Sequence, residues 1–199
     1  VAKCAESFGQ IQKVAFQRLT NAAGVKNKFE KTKSDITKLA SWTPLLTATD
    51  GTKVVVSPYI QAPTTEAGDP ITFGGGNDTL GGIEEIIGRN PTTFNAVIRK
   101  MPQEIIKALK EMQCESWNGD LGIFIFDENG AIGAIEDENT AGTYYPIPIR
   151  SLFVGDKVFG GLEAPDSNNI QWIFAPNYSD NLKLVAPEFN PLTDLVKSN

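Results

Sequence analysis

The sequence predicts a mainly β protein: a β-sandwich or partly open barrel with one main amphipathic helix and extended arms or loops. Three observations predict it. Residues 93–100 alternate, with Phe94, Ala96 and Ile98 facing one way and Thr93, Asn95 and Arg99 the other, the two-residue period of a half-buried strand. Pro102 then supplies a first-turn helix position, and Ile105, Ala108, Leu109 and Met112 recur at helical spacing, with Glu104, Lys107, Lys110 and Glu111 around the other side. From residue 121 onward the apolar runs are short and separated by turn residues, with no second helical pattern.

In chain order, residues 1–40 are polar and dotted with lysine, and read as a basic N-terminal arm or a short helical segment. Ser34 and Asp35 are candidate caps of a short helix through Leu39. Residues 41–199 read as the β-sandwich domain, with its helix at 102–113. Within it, residues 53–60 (KVVVSPYI) have the β-branched enrichment of a strand whose end Pro58 demotes to an edge or bulge. Residues 61–70 (QAPTTEAGDP) read as a loop, with two prolines and no apolar anchor. After the helix, Asn118-Gly119 breaks the chain before 121–126, a short apolar run that fits a buried strand. Asp127 to Gly130 ends in Asn-Gly and predicts a hairpin to 131–136. Residues 143–149 (TYYPIPI) carry two prolines and suit an edge. Residues 152–159, 170–174 and 182–185 complete the strands, and Phe189, Leu192 and Leu195 give the tail an apolar face.

Composition narrows the chemistry. The 199 residues suit one domain with a core that needs no staples. There is no histidine, which removes His-based hydrolase triads, His-ligated zinc and His acid–base catalysis. The two cysteines, Cys4 and Cys114, cannot form a four-thiolate zinc site, and a reduced pair is preferred over a single disulfide. No apolar run approaches the roughly 20 residues of a membrane span, and the N-terminus lacks a signal-peptide apolar core, so synthesis in a cytoplasm without a membrane anchor is expected.

The net charge of −6 argues against a general nucleic-acid binder, and its placement says more than its size. Residues 1–60 hold nine Lys or Arg against four acids, a net +5; since the whole chain has 18 against 24, the remainder is −11. A basic third on an acidic body suits head-to-tail stacking of identical copies, or else is a solvated basic segment without a partner.

Each chemical motif has a plainer explanation. The glycine-rich FGGGNDTLGG at 73–82 lacks the Lys-Ser/Thr ending of a phosphate loop; its glycines fit positive φ or the close passage of a neighbouring subunit. Asp127, Asn129 and Glu138 fall at the first, third and twelfth places of a calcium loop, but Ala131 and Ile132 occupy the fifth and sixth, where an oxygen and a glycine are wanted. Glu84, Glu85, Glu111, Glu115 and Asp120 are candidate glycosidase carboxylates by type alone. Trp117 and Trp172 are candidates for a sugar platform. No metal, cofactor or catalytic residue is expected, and a non-enzymatic protein is the reading.

The order of elements, with an edge strand, a proline-rich loop, FGGGNDTLGGIEEIIGR, the strand TFNAVIRK, the helix PQEIIKALKEM and then LGIFIFDENGAIGAIE, resembles the tail-tube (major tail) proteins of long-tailed bacteriophages and related contractile injection systems. The resemblance covers roughly residues 40–186 and rests on element order and glycine placement. It implies a structural virion protein of the tail, assembled in a bacterial cytoplasm. Copies form rings, commonly hexameric, that stack into a tube through which DNA passes only as cargo, with other virion proteins as partners. It further implies a subunit interface in the edge strand and the loop after it, at Lys53, Val55, Tyr59, Ile71, Phe73, Gly74, Gly75, Gly76 and Asn77. The other expectations are a different virion sandwich (decoration, tail-terminator or head–tail connector protein) or a carbohydrate-binding or adhesin module.

Overall fold

A computed structural model describes residues 7–196 of the chain. The element order is β1 (Ile11–Arg18), β2 (Phe29–Glu30), α1 (Leu39–Thr47), β3 (Val54–Val56), β4 (Ile60–Glu66), β5 (Pro70–Phe73), β6 (Glu85–Arg89) and β7 (Thr93–Arg99). After these come α2 (Gln103–Trp117), β8 (Leu121–Asp127), β9 (Ile132–Glu136), β10 (Thr143–Tyr145), β11 (Ile147–Val154), β12 (Ser167–Phe174) and β13 (Leu182–Val185). The fold is mostly β, as the sequence predicts. Eleven strands form one large antiparallel sheet that does not close into a barrel, and β5 and β6 form a separate pair.

The sheet is organised around β8. Along one side it pairs with β1 from Leu121 to Asp127. Its other side is divided: β11 takes Leu121–Ile123 and β9 takes Ile125 and Phe126. Two wings leave from that division. One runs β11-β12-β7-β4; the other is β9 with β10 and β2, and with β13. Every residue of β8 is buried, because its alternating side chains enter two different cores. Leu121, Ile123 and Ile125 join Val14, Phe16, Phe94 and Trp172 in the first. Phe124 and Phe126 join Ala15, Phe29 and Trp42 in the second.

A helix closes each core. Leu109 and Met112 of α2 pack into the first. Ser116, on the same helix, accepts the N–H of Leu152 at 2.9 Å, beside the irregularity where β11 slips its register on β12 and Ser151 adopts φ +53°. Trp42 and Leu46 of α1 close the second. Trp42 lies tilted against Phe29 at 4.6 Å, meets Phe124 edge-on at 5.1 Å and donates its indole N–H to the Ile36 carbonyl at 2.9 Å.

Several expectations need correction. Residues 11–18 are not part of a basic arm: Val14, Ala15 and Phe16 are fully buried, and β1 lies hydrogen-bonded between β8 and β3. The lysines at 13 and 26–38 concealed a strand with only three buried apolar residues. What the first six residues do lies outside the described part. Residues 61–70 are mostly not a loop; β4 extends to Glu66 and pairs with β7, with a register shift at Ala62 and φ +48° there absorbing the irregular sequence. Ser34 and Asp35 cap no helix; Asp35 accepts the N–H and hydroxyl of Thr37 at 3.0 and 2.8 Å, and α1 begins at Leu39. The helix expected at 102–113 continues to Trp117. The TYYPIPI segment is not an edge. It splits into β10 and β11, and Pro148 sits opposite Gly122 with its carbonyl accepting the Ala175 N–H at 3.1 Å. The proline survives mid-sheet because it stands where the β12 ladder ends.

Candidate interaction surface

Between Glu66 and Thr93, which face each other on β4 and β7, the chain leaves the sheet and returns. The excursion is a two-stranded arm. Ile71 pairs with Gly88, Thr72 with Ile86 and Phe73 with Glu85, and the arm shares no ladder with the large sheet. At its neck the Asn90 N–H bonds to the Asp69 carbonyl at 2.9 Å. Gly68 lies so close to the facing strand that a Cβ there would sit 1.7 Å from the Asn90 carbonyl oxygen. Arg89 reaches from the base to the side-chain carbonyl of Asn177.

The tip is formed by two tight turns, at Gly76–Asp78 and Leu80–Gly82. Thr79 ties them together: its hydroxyl accepts the Gly75 N–H at 3.0 Å and donates to the Ile83 carbonyl at 2.7 Å. Glycine is required at 75, where φ is +104°, and at 74, where a Cβ would stand 2.0 Å from the Thr79 methyl. The glycines read as backbone permissive in the sequence thus build a compact tip and not a phosphate cradle.

The arm exposes Ile71, Phe73, Leu80, Ile83, Ile86 and Ile87, from 42% for Ile71 to 101% for Leu80. Taking about 150–250 Å² per large side chain, this is roughly 700 Å² of apolar surface, spread over both faces of the arm and its tip, where exposed apolar residues on a soluble chain are usually single and scattered. An isolated two-stranded hairpin is also marginal in water. Both facts make the arm the candidate interaction surface of this chain. A smaller exposed apolar group, Phe153, Val158, Phe159 and Leu162, lies at the other end of β7 and β12, where Ser167 pairs with Arg99.

The residues expected at a subunit interface fall in two places. Ile71, Phe73 and Gly74, Gly75, Gly76 and Asn77 are together on the arm. Lys53, Val55 and Tyr59 lie across the body, near β3. Val55 is turned into the first core and keeps 7% of its surface, because strand alternation sends it inward between Val54 and Val56. Tyr59 is about half exposed, and the Lys13 ammonium sits 4.4 Å over its ring. Sequence reading missed Leu80, Ile83, Ile86 and Ile87; the signal was present as an apolar IEEII beside glycines, too short to be a core strand of its own.

Charge is divided between the margins of the sheet. β2 ends one side of the strand order and β4 the other. Around β2, residues 26–38 carry five lysines against Glu30 and Asp35. Lys28 and Lys33 share Glu30 at 2.5 and 3.5 Å. The hydrogen bond with Lys28 holds the Glu30 carboxyl below its ordinary range and raises the ammonium. Residues 66–89, beyond the other margin, carry five acids against Arg89 alone.

The other motifs resolve into local structure. Asp127 closes its own hairpin, accepting the N–H groups of Asn129 and Ala131 at 3.0 and 2.8 Å. Trp172 is buried and stacked on Phe94 at 4.1 Å, while Trp117 is exposed at the end of α2, so the two form no common sugar platform. The Cys114 thiol is exposed on α2, and Cys4 lies outside the described residues. No helix among the described residues is long and apolar enough to cross a membrane.

No protein-family model matches the chain, and no curated protein matches it. Three chains of solved particles are structurally similar. A chain from the tail of an empty gene transfer agent particle with C6 symmetry is 12% identical, with a TM-score of 0.36 over 64% of this chain and 82% of that one. One from the virion of a native gene transfer agent particle is 12% identical, with a TM-score of 0.35 over 64% and 85%. One from the baseplate of the anti-feeding prophage, six-fold symmetrised, is 8% identical, with a TM-score of 0.37 over 95% and 100%. Scores of this size fall short of a common fold, so function rests on the chain's own surface.

Proposed function

We propose that this chain is a structural, non-enzymatic subunit of a phage-tail-like particle, self-assembling into rings that stack as a tail tube. The observation that carries the reading is the β5–β6 arm: a two-stranded projection with six large apolar side chains left exposed by the described part of the body. Such a surface is costly in a free monomer and is stabilised when copies bury it. The opposite charges at the two sheet margins favour copies meeting in one sense, head to tail. In a tube the acidic balance of the body, −6 over the whole chain, suits a conduit, since like charge keeps passing DNA from adhering.

A concentration series of the purified chain, followed by light scattering and electron microscopy, tests this. Rings or tubes growing with concentration are expected. A monomer at every concentration overturns self-assembly, and rings that never stack overturn the tube in favour of another virion role. A measured positive potential on the lumen surface would overturn the conduit.

A further inference from the structure

Resting on that reading, the groove beside β3 supplies a receptor for the arm. Among the described residues β3 pairs with β1 and with no other strand. Ser57 donates its N–H to the Val14 carbonyl at 2.8 Å, in the register that places Val55 opposite Phe16. Antiparallel bonding alternates, so Val55 bonds toward β1, and the N–H and C=O of Val54 and Val56 are turned away from it. Two cavities of about 400 and 380 Å³ adjoin this strand and share Lys53, Val55 and Ala108. They make one groove that follows α2 from Pro102 to Glu115, with Leu46, Leu195 and Val196 on the opposite wall of its first half.

Lysine marks the groove. Lys53 lines both cavities and makes no ion pair among the described residues. Lys13 lines the first cavity, with its ammonium on the Leu192 carbonyl at 2.6 Å. Glu104 is the acid of that first half; in the second half Asp50, Glu111 and Glu115 are present, the last paired with Arg18. The first half is therefore basic and apolar. The arm is its complement, acidic through Asp78, Glu84 and Glu85 against Arg89 and apolar through Ile71, Phe73, Ile83, Ile86 and Ile87.

We infer that the arm of one copy lies in the first half of this groove in the next copy, adding a strand to the open edge of β3. Side chains alternate along the added strand, so Ile86 turns to the wall of Leu46 and Leu195 while Glu85 turns the other way, beside Lys53. The contact is between copies, because arm and groove lie at opposite ends of β4. Pro58 of the groove lies two residues before it and the neck at Gly68 two residues after it, and seven strand residues span about 20 Å. Each copy offers one arm and one groove, so the interface is heterologous and builds a ring or an open chain. The arm's apolar area, roughly 700 Å², is close to one partner's share of a standard interface.

Mixing complementary variants tests it. An arm variant (Ile86→Asp with Ile87→Asp) and a groove variant (Ala108→Trp with Lys53→Glu) each stay monomeric where the unaltered chain assembles. An equimolar mixture forms dimers and stops, since only one arm and one groove still match. The inference is overturned if the mixture stays monomeric, or if the groove variant assembles as the unaltered chain does while the arm variant fails. That second outcome leaves self-assembly standing and moves the receptor elsewhere, whereas an unaltered chain that never assembles sinks both. Circular dichroism confirms that each variant folds. A cross-link between Lys53→Cys and Glu85→Cys, in a background with Cys4→Ser and Cys114→Ser, gives a ladder of oligomers without relying on the tryptophan; monomer alone overturns the proposal.

Discussion

β8 and β6 are both short and rich in isoleucine, yet β8 has all seven residues buried, whereas four of the five in β6 are exposed. The difference lies in what surrounds them. β8 has strands along both edges and a helix-covered core on each face; β6 has β5 along one edge and neither face covered. Apolar composition alone therefore does not decide burial. The number of neighbours that a segment's place in the sheet supplies decides it, and the arm is the part of this chain whose neighbours are missing.

That contrast can be broken from the core side first. Phe124 points from β8 against Phe29 and Trp42 at 5.5 and 5.1 Å. Phe124→Ala is expected to cost about 3–5 kcal/mol, the usual range for emptying a buried aromatic site, read as a lowered midpoint in guanidinium unfolding. Gly122, one turn of the pleat away, carries no side chain because a Cβ would lie 2.7 Å from both Leu19 and the Pro146 ring. Gly122→Ala is expected to cost about 1–3 kcal/mol by overpacking, since the proline cannot swing aside, and the same titration measures it.

The arm answers in the opposite way. Ile86→Ser with Ile87→Ser is expected to leave the unfolding midpoint within about 0.5 kcal/mol of the unaltered chain while abolishing concentration-dependent scattering. A core-sized loss of stability would show that the arm is packed in the free chain after all. The smallest effect is expected in acid. Hydrogen bonds from the Thr37 backbone hold the Asp35 carboxyl below its ordinary range, and those from the Asn139 backbone and the Tyr145 hydroxyl do the same for Asp137. A carboxyl lowered by folding stabilises the fold above its unfolded value of about 4 and loses that contribution as pH falls through the lower folded value. Melting temperature should thus stay nearly flat down to about pH 4 and decline below it, with Asp137→Asn removing part of the decline.

How far the sequence could be read follows from the same contrast. β7, α2 and β8 were legible because each carries its own period and its own stops: alternation in Phe94, Ala96 and Ile98, a proline-started helical face, and an apolar run after Asn-Gly. β1 was hidden because its inward residues, Val14 to Phe16, are flanked by lysine and glutamine, and only pairing with β8 reveals them as central. Residues 61–66 of β4 were read as a loop because their one proline and their threonines are tolerated at a sheet margin. The apolar tip was half legible. Gly74 to Asn77 drew notice as a place of close approach, but Ile83, Ile86 and Ile87 carry meaning only once it is known that nothing covers them.

The glycine at the neck has a consequence for geometry. With Gly68 packed against the backbone of Asn90, the two legs of the arm are held together where they leave the body, and their spacing is set before any encounter. Less freedom is then lost on docking, and the angle between successive copies is set in part at the root of the projection. In any assembly built through it, curvature, and with it the number of copies per turn, depends on this junction together with the surface that receives the arm.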